Sequence, residues 1–404
     1  MIKFIHVADT HFGIENYGRI DSQTGIHSRL LDFQKAFNFC IDTAIDKDVD
    51  FFLFCGDAYK TIHPTPTQQK LFIQCLLRLY KANIPVVIIV GNHDNPLSFG
   101  KATSLDIFSD LPLDGFYVIS KPQILPIKSK NGLINIVAVP WPTRSTLALS
   151  EEYQTKASDE ITTYISQSVG NIISHFSKKL DRKIPAILAG HLTVSSGIFS
   201  GSEKRAIYGN DPVILPSQLA VEPFDYVALG HLHRHQNLNE KNSTPIVYSG
   251  SIERIDFGER NEEKGFCFVQ ISDQKETQYE FIKTPIRPFC QIEAQLNTDT
   301  DQTEFLLNEI QKHKIQNAIV KIVYHLPENQ KDSVDIEKIQ LSCQKAHHLA
   351  SIIPIRKVDT RPCRVLQSSS CSLENLLDTF FATKTQFKDH KENLIKKAIA
   401  LHEE

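Results

Sequence analysis

No stretch of this chain approaches the ~20 consecutive apolar residues that cross a bilayer, which argues against a helical membrane protein. The first residues carry no secretory signal either. Residues 1–6 run straight into a strand pattern, and a cytoplasmic location is the expectation. There is no CxxC pair among the eight cysteines, Cys40, Cys55, Cys75, Cys267, Cys290, Cys343, Cys363 and Cys371. Several sit inside apolar runs, as Cys55 does after Phe54, and they read as small buried hydrophobes, not disulfides or zinc ligands. An excess of charge of one sign is missing too. Lys and Arg number 44 against 47 Asp and Glu, a formal charge of −3, so any nucleic acid would be bound by a local surface and not a global basic field. No internal repeat and no low-complexity segment interrupts the chain.

What is present is an ordinary soluble balance, 41% hydrophobic and 23% charged, spread over 404 residues. That length exceeds what one core usually serves, so one large domain with smaller parts is expected. Short apolar runs recur at residues 3–8, 50–55, 85–90, 134–139, 185–189, 225–229 and 245–248. Most are rich in Val, Ile and Phe, as strands buried on both faces are, and five of the seven stop at Gly or Asp. Helical periods lie between them. Leu71, Phe72, Cys75, Leu76, Leu79 and Tyr80 share one helix face, and Leu30, Leu31, Phe37, Cys40, Ile41, Ala44 and Ile45 do so less cleanly. The alternation predicts an α/β layered architecture with helices outside.

The pattern changes after residue 284. Strand-like segments at 289–296, 318–324 and 352–358 and helix-like ones at 303–312 and 335–345 predict a βαββ or βαβαβ unit. Residues 361–370 read as a linker and 372–402 as helical, with an apolar stripe of Leu373, Leu376, Leu377, Phe380, Phe381, Phe387, Leu394, Ile395 and Ile399. The expected division is 1–284, a small α+β domain at 285–360, and a tail at 361–404.

Five of the runs end in residues able to hold a metal. The endings are Asp9-Thr10-His11, Gly56-Asp57, Gly91-Asn92-His93-Asp94, Gly190-His191 and Gly230-His231-Leu232-His233. Ligands of α/β sheets bind beyond the carboxyl ends of strands, so five such ends can converge on one point. The donors are all nitrogen or oxygen, which argues against structural zinc. Four of the endings begin with a glycine that lets the backbone turn and approach closely. Seven candidates (Asp9, His11, Asp57, Asn92, His191, His231 and His233) exceed one open site, and two divalent ions ~3.5–4 Å apart are expected to share a carboxylate. Two such ions outweigh the charge of Asp9 and Asp57 by enough to hold a phosphodiester and a hydroxide. His93 adjoins the cluster without being needed as a ligand, a position from which a general acid protonates a leaving oxygen. Asp94 is the neighbour expected to orient it.

The set DxH…GD…GNHD…GH…GHLH resembles the signature of the calcineurin-like metallophosphoesterases. More narrowly, residues 4–13 (FIHVADTHFG), 226–236 (YVALGHLHRHQ), 248–259 (YSGSIERIDFGE) and 263–268 (EKGFCF) are similar to SbcD-type nuclease subunits, the bacterial relatives of the eukaryotic meiotic-recombination nuclease. The resemblance covers 1–270 well, 285–360 loosely and the tail only as helical. It implies a β-sandwich flanked by helices, a small capping domain, and cleavage of DNA at ends or hairpins. It implies one metal on Asp9, His11, Asp57 and His233, a second on Asp57, Asn92, His191 and His231, and manganese as the activating ion. It makes His93 the phosphate-stabilising or acid residue, supported by Asp94. Its implied partners are DNA, an SbcC-type coiled-coil ATPase, and a second copy, giving a homodimer within a heterotetramer through helices near 28–46 and 67–82. The tail would dock on the ATPase or on the chain itself.

The loop after Asp57 departs from many relatives, reading Ala58-Tyr59-Lys60, and Lys60 is a candidate DNA contact or a surface lysine. The insert at 16–27 is a DNA-facing loop or plain surface. Two other readings remain, a small nucleotide or phosphoester substrate and a non-catalytic DNA-end scaffold. The segments 201–203 and 250–254 favour the nuclease by resemblance, and seven intact ligands disfavour the scaffold.

Overall fold

The computed structural model describes residues 1–95, 101–110, 114–143, 158–201, 211–240, 244–297, 301–326, 330–356, 377–378, 380–381 and 391–403. All seven apolar runs form strands, and they fall into two sheets. The first sheet is built on β1 (Ile2–Val7), β2 (Phe51–Phe54), β3 (Val86–Ile89) and β4 (Phe116–Ile119), parallel to one another. The second holds β5 (Gln123–Ser129), β6 (Gly132–Val139), β7 (Ala186–His191), β10 (Tyr226–Gly230), β11 (Gln236–Asn237) and β12 (Ile246–Tyr248), with β6, β7, β10 and β12 parallel. Between β7 and β10, a short parallel pair, β8 (Thr193–Val194) and β9 (Val213–Ile214), stands apart. The chain then returns to the first sheet, where β13 (Gly265–Ile271) pairs antiparallel with β1 and β14 (Thr277–Lys283) closes the edge.

The sheets pack face to face. Phe4, Phe51, Leu53, Val87 and Ile89 from one meet Ile136, Ala138, Ile187, Tyr226 and Val247 from the other in a single core. The strands are therefore apolar on both sides, because each sheet also carries helices on its outer face. On the first sheet, α1 (Ser28–Asp46) buries Phe33, Phe37, Cys40, Ile41 and Ala44. Beside it, α2 (Pro66–Lys81) starts at a capping box in which Thr65 and Gln68 satisfy each other's backbone donors, with Pro66 in the first turn. On the second sheet lie α4 (Ser158–Ser177) and the short α5 (Pro216–Leu219), while a one-turn α3 (Ile107–Asp110) precedes β4. The described cysteines are unpaired, and all but the half-buried Cys290 are buried.

The unit after residue 284 is βαβαβ, not βαββ. Its strands β15 (Phe289–Gln295), β16 (Ile319–Leu326) and β17 (His348–Arg356) form one parallel sheet in sequence order. The helices α6 (Gln302–Gln311) and α7 (Ile336–Ser342) cover one face through a separate core of Ile292, Leu306, Ile310, Ile322, Tyr324 and Ile339. This unit sits against the start of α1. The Arg287 guanidinium reaches both oxygens of Asp32, and Arg29, fully buried, stacks on the Phe289 ring. The insert at 16–27 is no plain surface loop at its beginning. Asn16 donates to the Ile255 carbonyl, and the Tyr17 ring packs edge-on to Phe257 and Phe289. The linker expected at 361–370 lies outside the described residues, as does most of the stripe at 372–390. Of the tail, α8 (Lys391–Glu403) is described, with Ile395 buried and Leu401 exposed.

Candidate metal centre

The five endings do converge. The ends of β1, β2 and β3 arrive from one sheet and those of β7 and β10 from the other, so the cluster forms where the sandwich opens at its carboxyl edge. The backbone there is strained. Asp9, His11, Asp57 and His231 all have positive φ, 54°, 41°, 59° and 103°, a region non-glycine residues rarely enter. Four such residues at one point mark a place where side-chain direction outweighs backbone comfort. The flanking glycines are needed for space. A Cβ on Gly91 would stand 2.2 Å from Asp57 Oδ1, and one on Gly56 would stand 2.3 Å from His191 Nδ1.

The side chains come together across both sheets. Ligand atoms of Asp9, His11 and His233 lie within 4.8 Å of one another, as do those of Asp9, Asp57 and His191. Asp9 belongs to both groups, and Asp57 Oδ2 spans them as well, 3.7 Å from His11 Nε2 and 3.5 Å from His191 Nε2. Asn92 Oδ1 stands 2.8 Å from His191 Nε2 and 3.1 Å from His231 Nδ1, completing the second group. His11 Nε2 faces His233 Nε2 at 3.0 Å. The seven expected residues therefore share one locus, and all but Asn92 are buried.

Main-chain and carboxylate partners orient the imidazoles. His191 Nδ1 donates to the Cys55 carbonyl, which leaves Nε2 for the site. His231 takes its place as its own backbone N–H donates to both oxygens of Asp9, and its Nε2 is buried without a hydrogen-bond partner. His233 Nδ1 donates at 2.8 Å to Glu259, a fully buried carboxylate absent from the sequence-level candidates.

The electrostatics call for cations. Burial pushes the Asp9 carboxyl up to about 7, even though His191 and His233 pull it down. Burial also opposes charge on Asp57, but His191, His93 and His11 hold its carboxyl well below the usual range. His191 overcomes its own burial through Asp57 and rises to about 9. Two buried carboxylates, four imidazoles and an amide fit divalent cations of borderline hardness.

Asp94 differs from expectation. Its oxygens accept from four backbone N–H groups, those of Asp57, Ala58, Tyr59 and Gly91, and not from His93. It braces the Asp57 loop instead of orienting the histidine. The chain turns at residues 92–94 and the two adjacent side chains diverge, which is why the pair separates. His93 is oriented by the loop itself. Its Nδ1 donates to the Lys60 carbonyl at 2.7 Å, and its backbone N–H donates to Asp57 Oδ1. The ring is exposed and stands edge-on to His11, 5.0 Å between centroids. The Lys60 side chain is exposed beside it.

Three further residues were invisible in the sequence. Asp211 places a carboxylate oxygen 3.7 Å from His231 Nε2, and Trp141 lays its ring 4.9 Å from the His231 ring. Glu259 lies in the 248–259 stretch that carries the narrower resemblance, but its contact partner is 26 residues away, so no local spacing betrays it. Burial opposes its charge, while Lys264 and His233 bring its carboxyl down to about 2.

Comparison with known proteins agrees with this geometry. Over 402 residues the chain is 24% identical to the SbcD component of the SbcCD nuclease of Bacillus subtilis strain 168, covering 98% of this chain and 96% of that protein. It is 27% identical over 302 residues to the SbcD component of Staphylococcus saprophyticus, covering 72% of this chain and 71% of the relative. The Staphylococcus epidermidis SbcD component gives 27% over 297 residues, 72% of each chain. The family model for calcineurin-like phosphoesterases matches residues 2–235, which contain all five strand endings. Along nearly its whole length the chain is similar to an SbcD protein, and it belongs to the calcineurin-like phosphoesterase family.

Proposed function

We propose that this chain is a two-metal DNA nuclease, exonuclease and endonuclease, working as the SbcD-type component beside an SbcC-type ATPase. The observation that carries the reading is the convergence of Asp9, His11, Asp57, Asn92, His191, His231 and His233 at one buried point in a chain similar to SbcD proteins end to end. Asp9, His11, Asp57 and His233 would hold one divalent cation, and Asp57, Asn92, His191 and His231 the other. Such ions, manganese by the family resemblance, supply Lewis-acid activation of the phosphodiester and of an attacking water.

The chain's own part is orientation and proton movement. Asp94 fixes the Asp57 loop by three backbone hydrogen bonds and ties it to its own loop by a fourth, from Gly91, so the shared carboxylate does not drift. His93 donates from Nδ1 to the Lys60 carbonyl, which leaves Nε2 available at the cluster, where it would face the scissile phosphate. In the imidazolium form that nitrogen gives a proton to the departing sugar oxygen. Lys60, on the same loop, would contact the DNA backbone as a point charge. Residues 1–284 would be the nuclease domain, 285–360 the capping domain, and 361–404 the segment that docks on the ATPase.

The test is a comparison of the wild type and Asp57→Asn on linear duplex, single-stranded circles and p-nitrophenyl phosphate esters with manganese. DNA cleavage that vanishes in the variant supports the proposal. Turnover of small esters with no cleavage of any DNA would overturn it in favour of a small-substrate phosphoesterase.

A further inference from the structure

Beside the metal cluster, Glu259 and Lys264 form a buried ion pair. Both side chains are fully buried, and their charged atoms are 3.0 Å apart. A buried ion pair is expensive to form and is weak evidence for stability by itself. What this pair touches gives it another purpose. One Glu259 oxygen accepts from His233 Nδ1 at 2.8 Å, and the other accepts from the Ile255 backbone N–H at 2.9 Å. Lys264 Nζ donates to the His233 carbonyl at 3.0 Å and to Glu262. The Arg254 guanidinium donates to the Glu259 carbonyl. The lysine and glutamate therefore grip the main chain and the ring of the same histidine.

Resting on the metal-centre reading above, we propose that Glu259 is a positioning residue for His233. Its carboxylate accepts from Nδ1–H and so turns Nε2 to ligate, and Lys264, 3.0 Å away, holds that carboxylate in place. The geometry is that of a carboxylate–histidine–metal relay, in which an anion on one ring nitrogen fixes the tautomer and strengthens the other nitrogen as a donor. Of the histidines in the cluster, His233 is the one whose ring nitrogen donates to a carboxylate in direct hydrogen-bond contact; His191 and His93 use carbonyls. His11 Nε2, 3.0 Å from His233 Nε2, completes the pair that the relay serves.

The experiment measures manganese binding to the full chain by the loss of free-ion EPR signal, for wild type, Glu259→Gln, Glu259→Ala and Asp57→Asn. Glu259→Ala is expected to weaken one of two sites by about 10–100-fold. Glu259→Gln, which keeps an acceptor oxygen of nearly the same shape, is expected to recover part of that loss. A second readout needs no metal. In EDTA, nitrogen-15 imidazole spectra should show His233 as the Nδ1–H tautomer in wild type and a mixture in Glu259→Ala. Unchanged affinity and tautomer alongside a lowered melting temperature would make the pair a structural salt bridge and overturn the proposal. If Glu259→Ala fails to fold, Glu259→Gln and Lys264→Met carry the same two measurements. If Asp57→Asn also binds manganese as wild type does, the metal-centre reading itself fails, which is a separate outcome.

Discussion

A histidine held by a carbonyl and an aspartate held by backbone amides divide the chemistry at the smallest scale. His93 lies among the cluster, within ligand distance of His11 and Asp57, yet its Nδ1 is committed to the Lys60 carbonyl. His93→Gln is expected to keep manganese affinity while lowering kcat on the order of 10²-fold, the loss of one general acid. Parallel EPR titration and single-turnover cleavage check it, and loss of metal along with activity would make His93 a ligand. A second histidine has nothing to do with metal. His6, in β1, accepts at Nδ1 from the Tyr226 hydroxyl and donates from Nε2 to the Leu229 carbonyl between the sheets. Burial drops its pKa from 6.5 to about 3. The folded state thus refuses a proton that the unfolded chain accepts. Stability is whole above pH 6.5 and falls as the pH drops from there toward 3, by about 1.4 kcal/mol per unit. His6→Gln binds no proton in either state. Between pH 6.5 and 5 its unfolding free energy, measured in urea with EDTA, should fall by about 2 kcal/mol less than the wild type's.

Among the elements, the site is a set of loop beginnings, each fixed by the strand before it. β2 and β3 are neighbours, and the turns that follow them interlock so tightly that Gly91 lies against the Asp57 backbone. A Cβ at Gly91 would meet Asp57 N at 2.4 Å, an atom that no rotamer change can move away. Gly91→Ala is expected to cost about 1–3 kcal/mol of stability, as overpacking does, and to weaken manganese binding by displacing Asp57. Urea denaturation and metal titration of the same variant check both. These elements were legible because strands buried on both faces leave continuous apolar runs. Several of the strands that escaped lie at sheet edges, although β13, also missed, is interior. In β5 and β14 buried and exposed positions mix and the apolar pattern is broken, while β4 is a half-covered run of only four apolar residues. In the small unit the helices α6 and α7 were legible from periodicity, yet the choice between βαββ and βαβαβ depended on long-range pairing.

The molecule as a whole is joined at one seam. Arg287 binds both oxygens of Asp32 and also Asn317, so it ties α1 to the start of the small unit. Removing a charged hydrogen-bonding group of this kind costs roughly 2 kcal/mol. Arg287→Ala is expected to let protease release the 289–356 unit sooner, while the manganese-dependent turnover of a nitrophenyl ester stays within a factor of two or so, since the cluster is built wholly from the sandwich. Limited proteolysis followed by an ester assay checks it, and collapse of the ester activity would show that the unit shapes the site. The tail gives the complementary expectation at this scale. Deleting 370–404 should spare manganese-dependent cleavage of single-stranded DNA and abolish co-purification with an SbcC-type ATPase. A truncated chain that still bound the ATPase fully, or that unfolded, would make the tail structural.

Which residues are buried in strands, where each strand stops, and that metal-capable side chains follow five of the stops could all be read along the chain. Those properties are local: apolar continuity, a glycine, a run of polar donors within four residues. That the five strands belong to two facing sheets, three ends from one and two from the other, emerged only in three dimensions. So did the carboxylate that serves His233 from 26 residues away, and the turn of Asp94 from its neighbour His93 to the amides of the Asp57 loop. A hydrogen bond is chosen by distance and direction in space, and chain separation says little about either.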